Sequence, residues 1–212
     1  APHVGADQTH HSGLPTAWHN STWVGDRTID LLRRQASSDK PFCAWVSFAD
    51  PHHPFDAPEP WSRLHAPADM VLPVHRTRDF GRRPWWHRAA TENAPASPGE
   101  MGKARREYSR MPVQGDNHLR EVLANYYGMI SLIDHNVGRI LSTLDMLDLA
   151  RDTLVVFTSD HGELLGDHGL MLKGPTFYEG LLRVGLLVRG PGVPSAKVIA
   201  TPVSTLDLAA TM

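Results

Sequence analysis

Two polar clusters in this chain have residue types and spacing that could do chemistry. One is Asp50-Pro51-His52-His53-Pro54, the other Thr158-Ser159-Asp160-His161-Gly162-Glu163. Each follows an apolar, strand-like run: PFCAWVSFAD (41–50) before the first, DTLVVF (152–157) before the second. Asp160 and His161 offer a carboxylate and an imidazole side by side, which is half of a metal site. A hard cation such as calcium takes about 6–8 oxygen ligands, so the remaining ligands must come from elsewhere. Gly162 lets the backbone turn tightly beside an ion. Further on, Gly166-Asp167-His168-Gly169-Leu170-Met171-Leu172-Lys173-Gly174-Pro175 sets a lysine among turn-formers, where its ammonium can meet an anion. Each feature alone has a plainer reading. An Asp after a strand most often caps a helix or forms a turn, and a surface lysine is most often solvated.

The elements that must hold these clusters are written in the hydrophobic pattern. Asn20-Ser21-Thr22 forms an N-cap cluster for a helix running through Trp23, Asp26, Ile29, Leu32 and Arg33. The same tripeptide is formally a glycosylation sequon, but capping is the preferred use. The run 41–50 is short, apolar and flanked by prolines, which predicts a strand buried on both faces. Cys43 within it reads as a core thiol, a small hydrophobe. From Asp116 as N-cap, apolar residues recur at Leu119, Val122, Leu123, Tyr126, Ile130, Ile133, Val137, Ile140 and Leu144, one buried stripe of a long helix. VGLLVRGPG (184–192) reads as a further strand stopped by a Gly-Pro-Gly turn. Long helix, strand, loop, strand, helix is the rhythm of an α/β protein with a largely parallel sheet. Such sheets carry their sites beyond the carboxyl ends of the strands, where both polar clusters lie.

Residues 56–115 have another texture. They are proline-rich, and ten Lys/Arg against seven Asp/Glu make them +3 while the remainder is −5. RTRDFGRRPWWHR (76–88) is both basic and aromatic. A long solvated insertion is the preferred reading, ahead of a rim that attracts an anionic substrate; long irregular loops are often functional. Stacking on single-stranded nucleic acid is the least favoured.

Composition sets the outer limits. The 212 residues carry a formal net charge of −2, with 41% hydrophobic and 21% charged residues, ordinary for a globular protein. That balance excludes a nucleic-acid-coating protein, which needs excess Lys/Arg. There is no apolar run of about 18 residues to span a membrane. The opening APHVGADQTH lacks the basic-then-apolar order of a signal peptide. A single cysteine makes neither an internal disulfide nor a cysteine-rich zinc site, while 13 histidines leave metal and acid–base chemistry open. The length suits one domain. The end VSTLDLAATM stops just inside a helix, and no apolar segment precedes the first helix, which predicts an interior piece of a longer protein.

Taken together and in order, the motifs resemble a known family. FTSDHGELLGDHGLMLKGPTFYEGLLRVGLLVRGPG (157–192) resembles the second signature region of sulfatases in the alkaline phosphatase superfamily. PFCAWVSFADPHHPFDAPEPW (41–61) resembles their strand ending in Pro-His-x-Pro. STWVGDRTIDLL (21–32) and PVSTLDLAATM (202–212) resemble the flanking helices. The likeness touches most of the chain and is weakest across 62–115. His rather than Asn after Asp160 is similar to choline-sulfatase-like enzymes and phosphonate monoester hydrolases.

The resemblance implies an α/β, alkaline-phosphatase-like, doubly wound and largely parallel sheet flanked by helices. Residues 1–212 would be the central to C-terminal part of the catalytic domain, with the loop-rich insertion at about 56–115. The nucleophile region and the smaller C-terminal subdomain would lie outside. By the same resemblance Asp160 and His161 are two metal ligands, and His52 contacts the transferred group and the leaving oxygen. Lys173 would bind a sulfate oxygen. His53 falls at the variable position of the motif and is given no role; His168 and Glu163 shape the turn or support the ligands, and Arg183 is structural. The implied cofactors are a divalent cation, Ca²⁺ first and Mn²⁺ as the alternative, and formylglycine, made from Cys or Ser in Cys/Ser-x-Pro-x-Arg. That motif is absent: Cys43 is followed by Ala-Trp-Val-Ser. Paired N-terminal aspartates are absent too, and Gly185 stands where the family usually has proline.

The implied activity is metal-dependent hydrolysis of an organic sulfate ester, with a small anionic ester as partner, no nucleic acid and no membrane span. Phosphonate or phosphate ester hydrolysis on the same scaffold is one alternative. A non-catalytic, sulfatase-like anion-binding relic is the other, against which the intact set of His52, Asp160, His161 and Lys173 weighs. The 212 residues alone are expected to be inactive and marginally stable. Compartment, oligomeric state and the substrate alcohol are left open.

Overall fold

The computed structural model describes residues 9, 11–76, 80–84, 87, 115–174 and 176–212. Two long helices organise it. Helix α1 (Asn20–Gln35) buries Ser21, Gly25, Thr28, Ile29 and Leu32. Its cap differs from the expectation: His19, not the Asn20–Thr22 cluster, accepts the N–H of Ser21 at 3.3 Å through Nδ1. Ser21 is thereby inside the helix, and its hydroxyl is free for a longer-range contact.

Helix α2 (Asp116–Met146, 31 residues) is the long helix the pattern predicts. Gly115 is its N-cap and Asp116 its first residue, where the carboxylate pairs with Arg76 instead of capping. Leu119, Val122, Leu123, Ile133 and Leu144 of the predicted stripe are buried, joined by Met129, Leu132 and Asn136. Ile130 turns outward, 38% exposed. Where α1 crosses α2, Gly25 is required: a Cβ there would stand 2.5 Å from Asn136 Oδ1. Asn136 is fully buried and satisfied on both sides of its amide. Its Nδ2 donates to Leu132 O at 2.8 Å, and its Oδ1 accepts from Arg139, which also reaches Asp26 at 2.6 Å.

A neighbouring face of α2 holds the loops. Phe55, Ala57, Val122, Met129 and Leu172 form one cluster, with Trp61, Tyr126, Leu165 and Met171 packed on it. Phe55 is 0% and Leu172 5% exposed, so each stabilises its loop by roughly 1.5–3 kcal/mol through burial. Asn125 donates to Phe55 O at 2.8 Å, and Gly128 lets the helix approach Trp61 O. The loop after His53 and the loop before Lys173 are therefore packed on one helix.

The sheet departs from expectation. Strand β1 (Val155–Thr158) pairs with β2 (Leu186–Arg189), and the pairing is antiparallel, Val155 opposite Arg189 and Thr158 opposite Leu186. Among the described residues there is no parallel ladder of strands, and the predicted buried strand at 41–50 forms no strand pairing. Trp45 is 87% exposed and Cys43 is exposed, so the core-thiol reading is corrected. The physical reason is that a strand buried on both faces needs neighbours on both edges and cover on both faces, and the described residues supply neither. A short helix, α3 (Glu179–Leu182), lies between β1 and β2, and α4 (Leu208–Thr211) follows a capping box at Ser204–Asp207.

Within 56–115, Trp61–Arg63, Pro67–Asp69 and Phe80–Arg82 are single 3₁₀ turns. Residues 77–79 and 85–86 of the basic, aromatic stretch 76–88 and the whole of 88–114 lie outside the described residues. Among those described, no helix is long and apolar enough to cross a membrane.

Candidate active site

β1 ends at Thr158 and delivers Ser159, Asp160 and His161 to its carboxyl end. The turn is held locally: Ser159 Oγ donates to His161 O at 2.8 Å, and the His161 N–H donates to Asp160 Oδ1 at 2.9 Å. That leaves Asp160 Oδ2 facing outward on a side chain 84% exposed, 3.6 Å from His161 Nε2. Burial raises the Asp160 carboxyl, but the His161 N–H and the nearby His161 and Lys173 outweigh it, and the group titrates below its ordinary value.

The tautomer of His161 follows from its partner. Nδ1 stands 2.7 Å from Gly162 O, and a carbonyl only accepts, so Nδ1 carries the proton and Nε2 the lone pair. Lys173 Nζ sits 2.8 Å from that lone pair. The 3.6 Å approach of Asp160 and His161 is then a convergence of two donor atoms rather than an ion pair. This is the arrangement metal-ligating histidines show, with the far nitrogen fixed on a carbonyl. The two residues fit a share of a divalent cation's shell; among the described residues no cluster of three His, Cys, Asp or Glu completes it.

Gly162 is needed, for a reason other than the predicted tight turn. Its N–H donates to Leu181 O at 2.8 Å, and a Cβ would lie 1.9 Å from Gly180 O. Close approach of α3 excludes any side chain there. From Glu163 the chain doubles back through a run of left-handed residues: Leu165, Gly166, His168, Gly169 and Leu172. Three of these are not glycine, an unfavourable backbone that packing must hold. Leu164 N–H bonds Leu172 O at 3.3 Å and Gly166 N–H bonds Leu170 O at 2.8 Å, closing the loop. This fold-back returns Lys173 to His161.

Glu163 is placed as the support the sequence suggested. Its Oε1 accepts the N–H groups of Leu164 at 2.9 Å and Leu165 at 3.3 Å. Burial raises its carboxyl above the ordinary range in spite of those bonds. Tyr126 of α2, pushed up to about 12 by burial and then by the Glu163 charge, stays a neutral phenol.

The first cluster lies in the turn that follows residue 49. His52 N–H closes a turn onto Ala49 O at 3.1 Å. His52 Nδ1 stands 2.6 Å from His53 O and must donate to it, which leaves Nε2 for chemistry. His53, which sequence reasoning gave no role, stacks on His52 with centroids 4.1 Å apart. Its imidazole is lowered to about 4 by burial first, then by His52 and Lys173. Lys173, which bonds His161, is thus also within electrostatic reach of His53.

A second group was invisible to spacing. Tyr178 stacks on His168 at 3.8 Å, accepts from Arg83 at 2.7 Å and lies 3.3 Å from His87. His168 N–H donates to His75 O, and the two rings stack at 6.1 Å. These contacts tie His75, Arg83 and His87 to His168 and Tyr178, on either side of Lys173 in sequence. Arg183 makes an exposed pair with Glu179 at 3.6 Å.

Comparison with known proteins shows the family. The sulfatase family model matches residues 5–212, and the chain belongs to the sulfatase family, whose members are hydrolases. It is 30% identical to the uncharacterized sulfatase YidJ of Escherichia coli (strain K12) over 90% of this chain and 35% of that protein. It is 34% identical to the choline-sulfatase of Rhizobium meliloti (strain 1021), over 82% of this chain and 31% of that one. Among solved structures, the phosphonate monoester hydrolase of Agrobacterium radiobacter aligns at a TM-score of 0.71 and 29% identity, covering 89% of this chain and 36% of that. The chain spans about a third of the length of these relatives.

Proposed function

We propose that this chain forms part of an enzyme that hydrolyses organic sulfate esters with the help of a divalent cation. The observation that carries the reading is the convergence at His161. Its proton is fixed on Gly162 O, and its free Nε2 stands 2.8 Å from Lys173 and 3.6 Å from Asp160. Asp160 and His161 would hold the cation, Ca²⁺ in the first instance and Mn²⁺ as the alternative, and it would neutralise the anionic oxygens of the ester. The wider catalytic scaffold is the doubly wound, largely parallel alkaline-phosphatase-like sheet.

The chain's own residues then divide the work. Lys173 presents its ammonium to a non-bridging oxygen of the ester, a second positive clamp on charge that grows in the transition state. His52, with Nδ1 donating to His53 O, would in its imidazolium form carry a second proton at Nε2 and give that one to the departing alkoxide. Such proton donation contributes about 10²–10⁴-fold. No residue here fits the nucleophile: Cys43 lacks the surrounding Pro and Arg. Formylglycine, contributed from outside these 212 residues, is the proposed nucleophile.

Hydrolysis of phosphonate monoesters is the second reading, favoured by the likeness to the Agrobacterium radiobacter enzyme. Sulfate and phosphonate esters present similar anionic oxygens to Lys173 and His52. Turnover of 4-nitrophenyl sulfate and of a phenylphosphonate ester by the full-length enzyme separates the two. Higher kcat/KM on the sulfate is the expected result; preference for the phosphonate overturns the sulfatase assignment and leaves the site roles in place.

A further inference from the structure

The start of α1 holds a polar cluster that the reaction as described does not use. Ser21 is 1% exposed and His19 6%, and the side chain of Asp50 is 10% exposed. They sit beside a segment, 41–49, and a residue, His52, that are largely open to solvent. Buried polar groups persist where they are mutually satisfied, and here Ser21 is the hub. Its backbone N–H donates to His19 Nδ1, and its hydroxyl donates to Asp50 Oδ2. Because His19 Nδ1 accepts, it carries no proton, so its 3.6 Å approach to Asp50 Oδ2 is not an ion pair. The Asp50 charge is answered instead by the Ser21 hydroxyl and by the positive end of a 16-residue helix.

Asp50 is one residue from Pro51, whose ring fixes its own φ, and two from His52. On the far side of His52, Phe55 is locked into the core against α2. The His52 turn is thus pinned at both ends, by burial at Phe55 and by one hydroxyl–carboxylate bond at Asp50.

We propose that Ser21 and Asp50, with His19 completing the cap, are positioning residues that set the proton-donating nitrogen of His52 from the N-terminus of α1. The proposal rests on the reading of His52 as proton donor to the leaving oxygen. Its consequence is specific. A donor displaced by about 1 Å can lose 10²-fold, but only where the reaction needs its proton. A basic alkoxide needs it; a 4-nitrophenolate leaves nearly unaided.

The experiment compares ethyl sulfate with 4-nitrophenyl sulfate in the full-length enzyme, for wild type, Ser21→Ala, Ser21→Thr and His52→Ala. Ser21→Ala is expected to lose about 10–10²-fold in kcat/KM on the ethyl ester and a few-fold or less on the nitrophenyl ester. Ser21→Thr, which keeps the hydroxyl, restores the ethyl ester rate. A purely structural role lowers the active fraction and reduces both esters by one factor, and that result overturns the proposal. If Ser21→Ala does not fold, the isosteric Asp50→Asn is read in the same way. Discrimination by His52→Ala without discrimination by Ser21→Ala sinks the positioning role alone. An equal loss on both esters in His52→Ala removes the proton-donor role, and the positioning role with it.

Discussion

Lys173 and His53 are the residues whose chemistry is most open to measurement. Lys173 Nζ lies 2.8 Å from His161 Nε2 and is exposed at its tip, so its removal should act on the ester and leave the core alone. Lys173→Ala is expected to lower kcat/KM by about 10²–10³-fold with an unchanged unfolding midpoint. Steady-state kinetics and a melt on the same sample check both halves. His53 makes a pH prediction. Its folded value is about 4 against an ordinary 6.5, lowered by burial and then by His52 and Lys173. As pH falls below 6.5 the unfolded chain takes up this proton while the folded chain does not, so stability declines until about pH 4 and then levels. Above 6.5 the group contributes nothing. Urea midpoints at pH 7, 5 and 4 should fall less steeply in His53→Gln than in wild type; equal slopes would contradict the assignment. The variable place of His53 in its motif concealed this role, because the stacking on His52 is a matter of backbone direction rather than of spacing.

At the scale of elements, α2 carries the site. One of its faces packs α1 and another packs the loop that follows His53 and the loop that ends at Lys173. Two of its glycines test that division. Gly128 meets Trp61 O, where a Cβ would stand 2.5 Å from a backbone atom, whereas Gly138 has nothing within 4 Å. Gly128→Ala is expected to destabilise by about 1–3 kcal/mol, and Gly138→Ala to stabilise by up to about 1 kcal/mol, both read by thermal unfolding. Equal effects would mean that the loop does not rest on the helix. The helices were legible because a 3–4 repeat of apolar residues needs no knowledge of the partner. Asp160, His161 and Lys173 stood out because turn-formers and strand ends mark them in one dimension. The cap at His19 was hidden, since His is seldom a cap and the adjacent Asn-Ser-Thr offered better candidates. The run 41–50 misled for a related reason: an apolar composition declares that a segment is made to be covered, but its pairing and burial depend on strands elsewhere. The antiparallel β1–β2 pair was equally out of reach, since a strand carries no mark of its neighbour's direction.

For the molecule as a whole, the chain covers about a third of the length of its sulfatase relatives. Trp45, Leu187, Val198 and Leu206 are each more than two-thirds exposed, while Phe55 and Leu172 anchor on α2 the loops that carry His52 and Lys173. At the centre of the proposed function is a cation held by Asp160 and His161. The most direct measurement is kcat/KM of the full-length enzyme on 4-nitrophenyl sulfate, taken with metal content before and after chelation, for wild type and Asp160→Asn. Chelation is expected to abolish turnover of wild type, and Ca²⁺ or Mn²⁺ to restore it. Asp160→Asn is expected to bind less metal and to turn over at least about 10²-fold more slowly. Full turnover by wild type stripped of metal, or metal binding and rate untouched in Asp160→Asn, would contradict that role.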